Sequence, residues 1–271
     1  MSDPAVVTLQ ETWAEGDAYE YYMGRWSRRV AAEFVDWLQA APYLGWVDVG
    51  CGTGPLTQAI LERANPRVVT AVDRYDGYLE TARGRIEDLR AVFESGSAEA
   101  LPLADDSVEL AVSGLALNVV EDPAKALAEM LRVVKPGGVV SAYLWDHAGH
   151  MQYLRTFWDA ARELDPAAEA WDKGTRSALC RPEPLRQAFE AAGLSNVIVR
   201  NIDIIASFTG FDDYWAPFLG GQGTAPSYCV GLQEEQREAL RAKLEARLPR
   251  DPDGEIALVA RAWAAWGKVT E

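Results

Sequence analysis

The residues best suited to chemistry stand in the run Asp48-Val49-Gly50-Cys51-Gly52-Thr53-Gly54. Glycines at alternate positions let a chain turn sharply out of a strand. They also bring its backbone against a ligand with no Cβ in the way. Pro55 suits the first position of a helix, and the N–H groups at a helix start favour an anionic or electron-rich group. Asp73 follows 23 residues after Gly50, at the end of the next apolar run. A carboxylate there can accept hydrogen bonds from two ribose hydroxyls. Loop and carboxylate together imply an adenosyl or nucleotide ligand. The Gly-x-Gly-x-Gly spacing departs from the Gly-x-Gly-x-x-Gly of dinucleotide sites, and no Gly-Lys-Ser/Thr follows it, so this is no P-loop.

Other reactive residue types are sparse. The two histidines, His147 and His150, both follow a predicted strand, and either could take a proton from an acceptor atom near neutral pH. Asp146 is a comparable candidate. So few histidines leave no basis for a Ser/His/Asp or metal site, and no metal is expected. Cys51, Cys180 and Cys229 have unrelated spacings and form neither a disulfide framework nor a zinc set. Cys51 reads as a small side chain packed beneath the glycine loop, because no nearby histidine could activate it. Aromatic residues crowd the second half: Trp145, Trp158, Trp171 and Trp215 with Tyr143, Tyr214 and Phe218 among others. Most suit core packing. Trp215 and Phe218, in a glycine-rich stretch that could form a lid, are expected near an apolar substrate.

Elements that could position these residues follow from periodicity. A helical pattern covers Asp17 to Leu38, with Pro42 beyond it. Strands are predicted over Gly45–Gly50, Arg67–Val72, Ala91–Glu94, Ser107–Ser113 and Val139–Trp145, with helices over Pro55–Ala64, Tyr75–Arg90 and Pro123–Val134 between them. Lys135 to Gly138 reads as a turn. Such alternation predicts an α/β fold: a parallel sheet covered by helices on both faces. Further on, helices are predicted over Met151–Leu164, Arg181–Ala192 and Gln233–Leu248, and strands over Asn196–Ser207 and Glu255–Gly267. Thr209 to Gly231 reads as a connection. Residues 151–185 and 208–250 look like additions around the sheet. The whole of 1–271 reads as one domain: a helical segment 1–44, a ligand-binding core 45–145 and a substrate-side half 146–271.

The chain has 271 residues, 49% hydrophobic and 25% charged, which is a globular composition. Its 26 Lys+Arg against 41 Asp+Glu give a net charge of −15, unfavourable for a nucleic-acid surface. The start of the sequence carries no basic, then apolar signal pattern, and the longest uncharged run, Tyr214 to Gln233, is rich in glycine and proline. A cytoplasmic protein without membrane or nucleic-acid partners is expected.

Asp48 to Gly54 resembles motif I of the class I S-adenosylmethionine-dependent methyltransferases. The resemblance extends through Ala71-Val72-Asp73, through Ser97 to Leu103 followed by Asp106-Ser107-Val108, and through Leu131 to Gly138, so it covers residues 45 to 145 in order. Tyr19 to Ser27, with Tyr214 to Phe218, is similar to segments in a small-molecule subset. The resemblance implies a Rossmann-like, doubly wound, seven-stranded sheet, mostly parallel with an antiparallel last strand, carrying helical cap insertions. It implies S-adenosylmethionine as cofactor and S-adenosylhomocysteine as product. The methyl would pass to oxygen, nitrogen or carbon of a small molecule.

By the same resemblance the methionine end of the cofactor lies along Gly50, Cys51, Gly52 and Gly54, with Asp48 toward its ammonium and Ser113 and Gly114 beneath it. Asp73 would hold the ribose, with Arg74, Ala98 and Glu99 at the adenine. Arg25, a planar cationic fork, and Tyr22 would meet the cofactor carboxylate. His147 and Asp146 are the candidate bases. Two other readings stay open at this level: a non-catalytic protein that binds the cofactor or its product, and a nicotinamide oxidoreductase, against which the glycine spacing and the lack of a Tyr-x-x-x-Lys pair count.

Overall fold

The computed structural model describes residues 23–220 and 223–270. Among them seven strands form one sheet: β1 (Gly45–Val49), β2 (Val68–Asp73), β3 (Ala91–Ser95), β4 (Val108–Gly114), β5 (Val134–Trp145), β6 (Ser195–Phe208) and β7 (Ile256–Lys268). Their order is β3-β2-β1-β4-β5-β7-β6. The first five pair in parallel, and β7 runs antiparallel to both β5 and β6. The chain winds outward from β1 to β3 and restarts on the other side at β4. The crevice between β1 and β4 is therefore the switch point, where open α/β sheets bind ligands at the C-terminal strand ends.

Side chains alternate across the sheet with period two. Trp46, Leu110, Val112, Tyr143 and Trp145 face one core, shared with helices α1 (Arg25–Leu38), α2 (Pro55–Arg63) and, further along the chain, Gln152–Leu164. Val47, Val49, Ala111, Ala142 and Leu144 face the other, covered by Pro123–Val133 and Pro182–Ala191. Alternation puts Asp48 on the face of Trp46, so a carboxylate enters a wall of apolar side chains. After α3 (Asp76–Arg85) the remaining helices are α4 (Pro123–Val133), α5 (Gln152–Leu164), α6 (Lys173–Arg176), α7 (Pro182–Ala191), α8 (Phe211–Trp215), α9 (Thr224–Gly231) and α10 (Glu234–Arg247). None of the described helices is long and apolar enough to cross a membrane.

Three elements differ from their sequence-based expectation. The helix predicted to reach Arg90 stops at Arg85, because the Asp88 carboxylate takes the Arg90 backbone N–H at 2.9 Å and its guanidinium at 2.7 Å, a local bond that competes with the helix ladder. Lys135 to Gly138 is a bulge inside β5, where the pairing with β4 slips between Val108 and Leu110. A Cβ on Gly138 would stand 2.6 Å from the Glu109 carbonyl oxygen, so only glycine lets the bulge close. The connection from Thr209 contains α8, a 3₁₀ turn and α9, ordered by aromatic packing against α5 that no local pattern announces. Residues 17–22 of the first predicted helix lie outside the described residues.

Helix α4 starts on Asp122, whose side chain accepts from the Lys125 backbone N–H at 3.0 Å. Asp122→Ala is expected to cost about 1 kcal/mol, read as a fall in the urea midpoint with an unchanged slope. An unaltered midpoint would show that the cap contributes nothing.

Candidate functional site

A cavity of about 240 Å³ opens at the C-terminal ends of β1, β2, β4 and β5. Its floor is the glycine loop. Gly50 and Cys51 donate their backbone N–H groups to the Val72 carbonyl at 2.8 and 3.1 Å. Gly52 donates to Asp73 Oδ2 at 2.9 Å, and Tyr75 donates to Asp73 Oδ1 at 3.0 Å. The loop is thus tied to the end of β2 three times, and the Tyr75 bond fixes the second oxygen of the anchoring carboxylate. Gly50 has φ +72°, and a Cβ there would stand 2.5 Å from that of Ala116, so both conformation and space require glycine. Gly54 lies behind the cavity. A Cβ on it would meet Ile86 Cδ1 at 2.7 Å, so it sets how closely α2 approaches the end of α3.

Asp48 lines the cavity and is fully buried. Its Oδ2 accepts from the Thr57 hydroxyl at 2.6 Å, while Oδ1 has no partner among the described residues. Burial pushes its carboxyl up to about 7. The Thr57 bond opposes the shift, and the nearby Asp73 charge adds to it. Asp73 is also raised, chiefly by burial, with the Tyr75 and Gly52 N–H bonds pulling the other way. The Cys51 thiol is held well above its ordinary range, first by burial and then by the negative Asp48 and Asp73, so it stays protonated.

The adenine-side residues divide by task. Ala98 and Arg74 line the cavity, Arg74 at its rim with Glu121 3.4 Å away. Glu99 lines it too, but its Oε1 accepts from the Glu121 and Asp122 backbone N–H groups at 3.1 and 3.0 Å and so holds the start of α4. Ser113 is buried behind the wall, and its hydroxyl donates to the Val49 carbonyl at 2.8 Å, lacing β4 to β1.

On the opposite side the structure separates residues that sequence grouped. His147 lines the cavity. Asp146 does not. It is buried, its carboxylate accepts from the His150 N–H at 2.8 Å, and its carbonyl accepts from Gly149 and Met151, so it folds the turn after β5. Arg25 lies outside the lining. Its guanidinium pairs with Asp213 at 3.1 Å and sits over the Trp26 and Phe208 rings. Tyr22 lies outside the described residues. Trp215 and Phe218 are buried away from the cavity: Phe218 stacks on Phe157 with ring centres 4.4 Å apart, and Trp215 stacks on Phe211. Aromatic area is better buried there, against other rings, than at a wet wall.

Sequence reasoning did not single out Met23, Ser27, Leu154, Lys173 and Thr224, which complete the wall. They come from the turn before α1 and from α1, α5, α6 and α9, separated by up to two hundred residues, and no local spacing marks any of them as a wall residue.

Phe218→Ala is expected to cost about 3–5 kcal/mol of stability by opening a void in the aromatic cluster. A near-neutral effect on the denaturation midpoint would mean that the ring is not core. The Asp48 carboxyl is higher in the folded chain than in the unfolded one, so the native state binds the extra proton. Stability contributed by that proton is present at low pH and is lost as pH rises from about 4 to about 7. Asp48→Asn removes this dependence. Between about pH 5 and about pH 8 the wild type is expected to lose on the order of 2 kcal/mol relative to the variant. Parallel stability curves for the two proteins would refute the buried, raised carboxyl.

The chain matches the methyltransferase domain family over residues 47–142. It is 38% identical over 125 residues to a 37.1 kDa protein in transposon TN4556 of Streptomyces fradiae, covering 44% of this chain and 36% of that protein. It is 32% identical over 181 residues to the demethylmenaquinone methyltransferase of Roseiflexus sp. strain RS-1, covering 63% of this chain and 76% of that enzyme. The chain therefore spans about a third of the first relative's length and about three quarters of the second's. Its fold is similar to that of phosphoethanolamine N-methyltransferase 2 from Haemonchus contortus, solved with phosphomonomethylethanolamine and S-adenosylhomocysteine. That match has a TM-score of 0.57 at 14% identity, covering 94% of this chain and 56% of the other. With motif I on the loop from β1 to α2, Asp73 at the end of β2 and the reversal of strand order at β4, the chain belongs to the class I S-adenosylmethionine-dependent methyltransferases.

Proposed function

We propose that the protein transfers a methyl group from S-adenosylmethionine to oxygen, nitrogen or carbon of a small molecule held under the helical cap. The observation that carries this reading is the Asp48 carboxylate. It is fully buried at the cavity wall and has an oxygen without a partner among the described residues. A buried carboxylate in that condition is costly unless a donor or cation meets it, and the amino group of an amino-acid ligand supplies both, directly or through water. Residues 45–145 would hold the cofactor, and 146–271 would furnish much of the acceptor side.

The chain's own groups then have distinct tasks. Asp73, already fixed by Gly52 and Tyr75, keeps lone pairs for ribose hydroxyls. Ala98 borders the adenine with Arg74 at the rim, and Glu99 acts there mainly by fixing the start of α4. The bound cofactor supplies a methyl already activated on a sulfonium. The protein's contribution is therefore orientation, exclusion of water and, where the acceptor carries a proton, its removal. His147, which lines the cavity, would take that proton, with Asp146 holding the turn on which it stands. The relationship to a demethylmenaquinone methyltransferase supports a small-molecule acceptor as the class.

Calorimetric titration tests this directly. Wild-type protein is expected to bind S-adenosylmethionine and S-adenosylhomocysteine, and Asp73→Ala to bind each at least about tenfold more weakly. Thermal unfolding of the variant would verify that it folds. Undiminished binding in Asp73→Ala, or preferential binding of NAD(H) by the wild type, would overturn the assignment.

A further inference from the structure

The cavity has two chemically different ends. Three carboxylates, Asp48, Asp73 and Glu99, gather with Arg74 at the loop and adenine side. Across the cavity, where β5 meets the cap, the described lining residues include no carboxylate, and the nearby Asp146 stands behind them. That lining has Tyr143 and Trp145, with His147 and the cationic residue Lys173. A cation in that position is notable in a chain of net charge −15.

Lys173 is not a loosely hung surface residue. It opens α6 directly after Asp172, whose side chain is 1% exposed. Asp172 Oδ1 accepts from the Gly174 N–H at 2.8 Å, and Oδ2 pairs with Arg155 on α5. The Gly174 carbonyl accepts from the Arg181 guanidinium at 3.1 Å. A Cβ on Gly174 would collide with the His147 carbonyl oxygen and stand 2.7 Å from the Arg155 guanidinium, so α6 is pressed against the turn after β5 as only glycine permits. A buried ion pair, a side-chain cap and a glycine contact thus fix the backbone that carries Lys173 beside His147. Fixed backbone on both sides is what a site needs to recognise charge rather than merely tolerate it.

Resting on the methyltransferase reading, we propose that Lys173 recognises an anionic group on the acceptor, so that the substrate is a small molecule with an aromatic or apolar body and a carboxylate or phosphate. The ammonium meets the anion as a compact point charge. Tyr143, Trp145 and Leu154 cover the body. His147, on the adjoining turn, faces the part of the acceptor between anion and cofactor. The substrate would enter with its charge toward the cap.

Matched probes test this on protein saturated with S-adenosylhomocysteine, whose binding is measured first in every protein. Benzoate, phenyl phosphate and uncharged benzamide are then titrated by calorimetry into wild type, Lys173→Met and Lys173→Arg. At least one anionic probe is expected to bind wild type about tenfold or more tightly than benzamide. That preference should vanish in Lys173→Met and persist in Lys173→Arg. The arm that keeps the larger preference separates carboxylate from phosphate. Equal binding of benzamide, a preference surviving in Lys173→Met, or no probe bound to the loaded wild type would overturn the proposal. Failure of S-adenosylhomocysteine itself to bind would instead strike the cofactor assignment.

Discussion

The site depends on one carboxylate that belongs to a strand and is spent on a loop. Asp73 ends β2, yet its two oxygens take N–H groups from Gly52 and Tyr75, while the neighbouring Val72 carbonyl takes those of Gly50 and Cys51. A loop with three positive-φ glycines would otherwise be the softest part of the molecule. Anchored at the sheet edge, it becomes the most determined. Helix α2 then starts where the sheet dictates, Thr57 arrives against Asp48, and the floor of the cavity is set before any ligand enters. The cost is two carboxyls in a poorly solvated volume: burial raises both, and the Asp73 charge adds to the shift at Asp48.

Much of this half was legible in the sequence, for a physical reason. Loop and carboxylate act over a short stretch of chain, so their spacing is written locally, and the alternating strands and helices carry the period of the elements they form. Asp88 illustrates the limit: nothing in the helical pattern of 75–90 shows that a side chain will outcompete the ladder. Residues 135–138 illustrate another. Lys-Pro-Gly-Gly is turn chemistry anywhere, and only the strand register makes it a bulge.

The cap was legible in kind but not in detail. Composition revealed the aromatic richness beyond residue 145 but not which rings would meet each other and which would meet a cavity. Phe218 and Trp215 went to the ring cluster, and Arg25 went to Asp213, because apolar area and opposite charge were both available there at long range. Residues that complete the wall, such as Met23, Lys173 and Thr224, are ordinary in their own stretches and acquire meaning only through packing. The cap's interior is rings packed edge-to-face and stacked, with a buried ion pair, so it resembles a fixed mount more than a flap.

The antiparallel β7 has a practical consequence. It begins opposite Phe208 and ends with Lys268 opposite Val139 and Ser195, at the edge of the sheet away from the cavity mouth. The polypeptide therefore leaves the sheet on the far side from the chemistry. Whatever is joined to the residues that follow β7 starts behind the site and not across its mouth. A contact made through that face would leave the cavity turned toward the solution.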